Sequence, residues 1–129
     1  MKQKIARIWV DALRSGEYKQ VGGRLKTLEG YCCLGVLCDL AVDRGIIPAP
    51  ILNVNSGLNL SVFTFGKQKL FLPSEVMEWA GVNSSTGDIP LSDPAVPASF
   101  STANLSKLND SGVDFKTIAE VIERNVKTL

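Results

Sequence analysis

Apolar residues recur at helical spacing at the start of the chain. The repeat consists of Ile5, Ile8, Trp9, Ala12 and Leu13. Charged residues occupy the opposite face, and Gly16 follows as a residue that commonly ends helices. The pattern predicts an amphipathic helix that packs on a core through its apolar stripe.

The densest apolar run is YCCLGVLCDLA, residues 31–41, which contains all three cysteines of the chain. From about residue 33 to residue 44 the sequence is apolar nearly all round a helical wheel, and Gly45 follows. A helix with this pattern must be covered on most of its sides. We therefore expect residues 33–44 to form the central buried helix of the fold.

Two hairpins are predicted from short runs of strand-forming residues. One spans residues 17–28 with a tight turn at Gly22-Gly23. The other spans residues 57–72, where residues 58–63 alternate with a period of two and Gly66-Lys67 makes the turn into residues 69–72.

Three shorter helices are predicted in the second half of the chain. Pro73 and Ser74 open the first of them. Ser101 or Thr102 opens the second, and Asp114 caps the third. The buried face of the third contains Phe115, Ile118, Ala119 and Ile122.

Residues 83–101 are rich in Ser, Pro, Asp and Gly, which predicts a long surface loop, either mobile or a lid. The expected fold class is α+β, a single small domain over residues 1–129. Its central buried helix is packed by the N- and C-terminal helices and by one small antiparallel sheet of hairpins.

Charge is unevenly distributed, although the net charge of the whole chain is only +1. Residues 1–30 contain seven Lys and Arg residues against three acidic residues, a local charge of +4. Such a basic segment either meets a phosphate or nucleotide or is a solvated helix face. The chain has no signal-peptide pattern and no apolar run long enough to span a bilayer, so we expect no membrane association.

Histidine is absent and the three cysteines lie within seven residues. This spacing argues against both a disulfide framework and a zinc site, so we expect no metal and no cofactor. A glycine, a tyrosine and two cysteines at a helix start are also typical of papain-like nucleophiles, with Cys33, or less plausibly Cys32, as the reactive thiol. Because no histidine is present to activate it, packing is the favoured interpretation of these cysteines.

Asp39 is a carboxylate on an otherwise nearly apolar helix, so it must find a partner or reach the surface. Arg14, Arg24 or a helix N-terminus is the expected partner. The pairs Asp39 with Asp43 and Asp110 with Asp114 are candidate carboxylate pairs for a hydrolase, although caps and turns are the simpler interpretation.

Gly22-Gly23-Arg24 is a glycine-rich turn with basic and aromatic neighbours. Backbone N–H groups, basic side chains and an aromatic ring are what a phosphate or nucleotide ligand requires. The candidate ligand-binding residues are Tyr18, Gln20, Arg24, Lys26 and Tyr31, with Asn109 and Asp110 as further polar contacts. Sequence-specific nucleic-acid binding is not expected, because there is no basic recognition helix.

Several motifs together resemble a family of small proteins encoded by tailed bacteriophages and prophages. They are Trp9, ALRSG (12–16), YKQ (18–20), YCCLGVLCDLA (31–41), Leu72-Pro73, Trp79, LND (108–110), Gly112, Phe115, Ile118-Ala119 and Ile122-Glu123. Residues 46–71 and 83–101 have no counterpart in that family. The resemblance implies an accessory protein of the host bacterial cytoplasm, and it assigns no catalytic or binding residue.

Three hypotheses about function follow. The first is a non-catalytic phage accessory protein that sequesters a small anionic nucleotide-like immune signal, as a monomer or a homo-oligomer. The second is a protein-interaction module that inhibits or regulates a host or phage protein through residues 83–101 and the exposed face of the first helix. The third is a cysteine-dependent hydrolase with Cys33 as its nucleophile.

Overall fold

The computed structural model describes residues 1–55 and 60–129. In these residues the chain forms five helices and two strands, a single small α+β domain as predicted. The elements are α1 Gln3–Arg14, α2 Cys33–Asp43, β1 Ile51–Asn55, β2 Leu60–Thr64, α3 Ser74–Ala80, α4 Leu105–Asp110 and α5 Phe115–Arg124.

The helix α2 is the centre of the core, which confirms its predicted role. Its apolar side chains are buried except for that of Val42, which is partly buried, and α1, α3 and α4 pack against it. The indole of Trp9, which is fully buried, donates a hydrogen bond of 2.9 Å from Nε1 to the carbonyl oxygen of Cys33. This bond joins α1 to the first turn of α2, while α1 also packs along α5.

The predicted hairpin at residues 17–28 is wrong. Residues 18–31, which we call the crossing segment, instead pass across the first turn of α2. Leu25 donates its N–H to the carbonyl of Lys69 at 2.8 Å and accepts the N–H of Cys32 at 3.1 Å. Tyr31 donates its N–H to the carbonyl of Lys19 at 2.8 Å. Because the backbone groups bond to these neighbours, no ladder forms around Gly22-Gly23.

The second predicted hairpin is correct in its turn and wrong in its pairing. Phe65 and Gln68 exchange hydrogen bonds of 2.8 and 3.0 Å around Gly66, as the turn requires. The strand β2 pairs antiparallel with β1, in the register Ile51 to Thr64, and residues 69–72 form no strand. The carbonyl oxygen of Lys69 accepts the N–H of Leu25, so residues 69–72 bond to the crossing segment and do not pair with β2. The predicted alternation at residues 58–59 lies outside the described residues.

Side-chain caps mark the starts of α4 and α5. The helix α4 is capped by Asn104, which lies three residues after Ser101 and two residues after Thr102, because Oδ1 of Asn104 accepts the N–H of Lys107 at 2.7 Å. The predicted cap of α5 is confirmed, since Asp114 accepts the N–H of Thr117 at 2.9 Å.

Residues 83–101 contain no helix or strand, and one buried carboxylate fixes them to the end of α5. Asp93 accepts two hydrogen bonds from Arg124, of 2.9 and 3.2 Å, and one of 2.8 Å from Asn125. Burial raises the pKa of Asp93, but these bonds and the N–H of Ala95 outweigh burial and hold the pKa below its usual value. A charged carboxylate therefore anchors the middle of the long segment.

Two glycines let the crossing segment touch its neighbours through backbone alone. A Cβ on Gly35, inside α2, would lie 1.8 Å from the carbonyl oxygen of Leu25. A Cβ on Gly30 would lie 2.1 Å from the carbonyl oxygen of Lys19. Both distances are far below van der Waals contact, so a side chain at Gly35 would push the crossing segment away from α2, and a side chain at Gly30 would separate the two ends of the crossing segment.

We predict that Gly35→Ala lowers the free energy of unfolding by about 3 kcal/mol or more, although alanine in a helix is ordinarily favoured over glycine by about 1 kcal/mol. Urea unfolding followed by circular dichroism measures the change. Gly22→Ala is the matched control, because its Cβ would meet Asp110 at an ordinary 3.5 Å. Equal urea midpoints for the two variants would contradict the close approach of Leu25 to α2.

We predict that Asp93→Asn destabilises the fold by about 2 kcal/mol at pH 7, because Arg124 loses the negative charge and one of the two acceptor oxygens of its buried partner. The pKa of Asp93 is lowered in the folded state. Its contribution is therefore present above the unfolded pKa of about 3.9 and is lost as pH falls through the lower folded pKa. Urea midpoints of the two proteins should converge between pH 5 and acid pH. The control Asp43→Asn, at an exposed position, should follow the wild type at every pH.

Candidate functional site

Asn109, predicted to contact a ligand, is buried and hydrogen-bonded inside the protein. Its Oδ1 accepts the N–H of Cys33 at 3.0 Å and the Nε2 of Gln20 at 2.9 Å. Its Nδ2 donates to the carbonyl of Val21 at 2.8 Å and lies 3.4 Å from Asp110. The hydrogen-bonding capacity of this amide is fully used, so it joins α4 to the start of α2 and to the crossing segment.

Gln20 extends the same network to α5. Its Nε2 donates a second hydrogen bond to the carbonyl of Val113 at 2.8 Å. Its Oε1 accepts the N–H of Phe115, the first residue of α5, at 3.1 Å. Both predicted ligand contacts, Gln20 and Asn109, thus hold helix ends in place.

The partners of the Asp39 carboxylate are two tyrosine hydroxyl groups and not the arginines that the sequence predicts. Tyr18 donates a hydrogen bond to Asp39 at 2.5 Å, and the hydroxyl of Tyr31 lies 3.5 Å from the same carboxylate. Burial and then the hydrogen bond to Asp39 raise the pKa of Tyr18 well above its ordinary value. Arg14 pairs instead with Glu123 at 2.5 Å.

Lys26 lies between two aromatic rings beside this group. Its Nζ is 4.9 Å from the ring centre of Tyr31 and 4.5 Å from that of Phe63. The rings of Tyr18 and Tyr31 meet edge to face, with centres 5.1 Å apart. The predicted residues Tyr18, Lys26 and Tyr31 are therefore brought together, with their polar groups turned to partners within the protein.

Arg24 lies between two clefts, which makes it the best placed of the predicted residues. The larger cleft, which we call the Arg24 cleft, has a volume of about 320 Å³. It is lined by Gly22, Gly23, Arg24, Thr27, Leu28, Glu29, Ser61 and Val62. A second cleft of about 180 Å³ shares Gly23 and Arg24 and is lined in addition by Cys32, Leu70, Phe71, Ser106 and Asp110.

The glycine turn beside Arg24 is fixed by Asp110, the last residue of α4. Asp110 accepts the N–H of Gly23 at 2.9 Å, so this backbone donor is occupied. Arg24 donates from Nη1 to the carbonyl of Gly23 at 2.7 Å. This is the one side-chain hydrogen bond that Arg24 makes within the described residues, which leaves the other guanidinium N–H groups for a ligand.

Apolar and aromatic side chains beside Arg24 are exposed. Leu28 is 66% exposed, Phe71 is 40% exposed and Leu70 is 36% exposed. Sequence reasoning missed all three, together with Ser61. The alternation of residues 58–63 assigned Ser61 to a strand, but it gave no sign that the strand would lie beside the crossing segment.

The exposed side of α1 carries a third groove, of about 250 Å³, against α5. It is lined by Gln3, Ala6, Arg7, Val10, Asp11, Glu123 and Val126. Its lining includes the basic residue Arg7 and the acidic residues Asp11 and Glu123, so the positive charge of residues 1–30 is not concentrated at this groove.

The three cysteines are buried in the core. Burial raises the pKa of Cys32 to about 11 and raises the pKa of Cys33 and Cys38 well above the ordinary value of a thiol. Cys32 caps α2 by accepting the N–H of Gly35 at 3.4 Å, and the thiol of Cys33 donates to the carbonyl of Leu105 at 3.5 Å. A reactive cysteine needs a lowered pKa and solvent access, so this geometry is that of packing residues.

Within the described part of the chain, no group of three or more cysteine and acidic side chains is placed to hold a metal ion. No helix there is long and apolar enough to cross a membrane.

A family model described as Domain of unknown function (DUF8296) matches residues 1–126. No curated protein and no solved structure matches the chain.

We predict that the three thiols are unreactive until the protein unfolds, because each is buried and has a raised pKa. Iodoacetamide at pH 6 to 8, followed by intact mass measurement, should add no label to the folded protein and three labels in denaturant. The denatured sample is the control for reagent quality. Rapid labelling of Cys33 in the folded protein would restore the nucleophile hypothesis.

Proposed function

Since the chain belongs to the DUF8296 family, whose function is unknown, we propose a function from the site itself. The protein is a non-catalytic binding protein that holds a small anionic nucleotide-like ligand at the Arg24 cleft.

The observation that carries this proposal is the position of Arg24 in a cleft large enough for a small ligand. A volume of about 320 Å³ lies within the range of about 300–1,000 Å³ that ligand sites occupy. A guanidinium with unoccupied N–H groups can bind a phosphate in a bidentate manner. The side chains of Thr27 and Ser61 add hydroxyl groups, and Leu28 and Val62 add apolar surface for a base or sugar.

The candidate ligand contacts are therefore Arg24, Thr27 and Ser61. Gln20 and Asn109 support the fold beneath them, and Asp110 holds the glycine turn. The three thiols are buried and the chain contains no histidine. The polar groups that line the Arg24 cleft can bind a ligand, and sequestration is the activity that such groups support.

The resemblance to phage accessory proteins supports a particular ligand class. Accessory proteins of this kind act on host components, and nucleotide signals of bacterial immunity are small, anionic and present in the host cytoplasm. We propose that such a signal is the ligand.

A second candidate function is supported by the exposed side chains around Arg24. Leu28, Leu70 and Phe71 form exposed apolar surface beside an arginine, and exposed apolar surface of this kind marks protein-interaction sites. In this alternative the same surface binds a host or phage protein. The region predicted for that role, residues 83–101, is fixed to α5 by Asp93.

We predict opposite effects for two substitutions in the Arg24 cleft, measured by calorimetry against cyclic dinucleotides, cyclic trinucleotides and cyclic ADP-ribose. Arg24→Gln should weaken the binding of an anionic ligand about tenfold or more, because it removes a charge-assisted contact. Glu29→Gln should strengthen binding about two- to fivefold, because it removes a like charge from the cleft.

Arg7→Gln is the matched control, since this exposed arginine lines the α1 groove and not the Arg24 cleft. It should leave affinity unchanged. Absence of micromolar binding by the wild type to every compound in the panel would end the nucleotide proposal. Capture of a protein from host lysate that is lost in both Arg24→Gln and Phe71→Ala would then favour the second function.

A further inference from the structure

The strand β1 is exposed along most of its length. Ile51 is 63% exposed, Leu52 is 42% exposed and Val54 is 67% exposed. Consecutive residues of a strand point to opposite faces, so β1 presents apolar side chains on both faces of the sheet. Exposure of this extent on an apolar strand is unusual in a monomeric protein.

The two outer edges of the hairpin differ. The outer edge of β2 is covered by the crossing segment, where Thr27 bridges to Val62 and Phe63 donates its N–H to the carbonyl of Lys26 at 3.3 Å. In the described residues β1 pairs with β2 alone. The backbone groups along the outer edge of β1 are therefore available to another strand.

No charged residue occurs from Gly45 to Gly66. Proteins ordinarily protect exposed strand edges with lysine or another charge, with proline or with a bulge. The strand β1, with the sequence ILNVN, contains none of these charges and no proline. Pro48 and Pro50 lie before the strand, so no charge and no proline opposes pairing within β1 itself.

We propose that β1 pairs antiparallel with β1 of a second copy of the chain, which joins two hairpins into a four-stranded sheet. A two-fold axis at Asn53 places Leu52 opposite Val54 of the partner subunit. In such a contact a charged residue on the axis would face its own copy, and a charged residue beside the axis would lie diagonally across from its own copy, so like charges would repel. The uncharged strand avoids this repulsion.

The absence of charge also favours a second copy over a different protein. Interfaces between different proteins use complementary charges to select the partner and to fix its register. The edge of β1 offers no such selection, whereas pairing with itself needs only apolar contact and backbone hydrogen bonds. This inference does not rest on ligand binding at the Arg24 cleft.

Light scattering coupled to size exclusion, over a wide range of protein concentration, tests the proposal. The wild type should approach twice the 13.9 kDa chain mass. Val54→Lys and Leu52→Glu should each raise the dimer dissociation constant about tenfold or more, because two symmetry-related contacts are lost at once. Leu91→Lys is the control at an exposed leucine of residues 83–101, and it should dimerise like the wild type.

The double variant Leu52→Glu with Val54→Lys tests the register of the proposed pairing directly. With the axis at Asn53, every introduced lysine faces a glutamate, so dimerisation should return. Circular dichroism verifies that each variant keeps its helices, and the mass of the wild type is a test that needs no variant. A wild type that stays at monomer mass at every concentration overturns the proposal. Single variants that remain dimeric, or a double variant that stays monomeric, also overturn it.

Discussion

The buried amide of Asn109 is the interaction on which the arrangement of the helices depends. It accepts the N–H of Cys33 at the start of α2 and binds Gln20, which in turn accepts the N–H of Phe115 at the start of α5. One network of hydrogen bonds therefore fixes two helix starts to the crossing segment. Each unpaired polar group in such a place would cost about 1–3 kcal/mol, so the network is favourable only when all its members are present. This explains why two polar residues that resemble ligand contacts in the sequence serve the fold.

The sequence predicted the elements whose signals are local. The helix α1, the all-round apolar surface of α2 and the Asp114 cap of α5 depend on residues close together in the chain. In α1 the buried face is shifted from the predicted stripe, since Ala6 and Val10 are buried and Ile5, Ile8 and Ala12 are partly buried. The crossing segment was missed because its partners, such as Lys69, are distant in sequence. Gly22-Gly23 is typical of a hairpin turn when only local sequence is considered. The hairpin does not form because the backbone of Leu25 bonds to Lys69 and Cys32. Nor does periodicity reveal that Gly35 is needed for a contact with Leu25.

The candidate site was predictable to a similar degree. Arg24 was identified from its glycine turn, and the structure places it between two clefts. Ser61 joins it only because Thr27 bridges to Val62 across the sheet edge. Tyr18 and Tyr31, which the sequence predicts as ligand contacts, lie beside Lys26, but their hydroxyls bind Asp39. A carboxylate in an apolar helix can satisfy its charge with phenol donors as well as with arginine, and the sequence does not distinguish these partners.

The contact between Gly35 and Leu25 has a consequence for recognition. Because the carbonyl of Leu25 lies directly on the backbone of α2, the position of the main chain at this point is set by the core. Arg24 is the preceding residue, so its Cα is held by the same contact. A molecule that binds Arg24 orders only the side chain of this residue, and the backbone conformation does not change. The conformational entropy lost by ordering that side chain costs about 0.5–1.5 kcal/mol, well below the cost of ordering a loop.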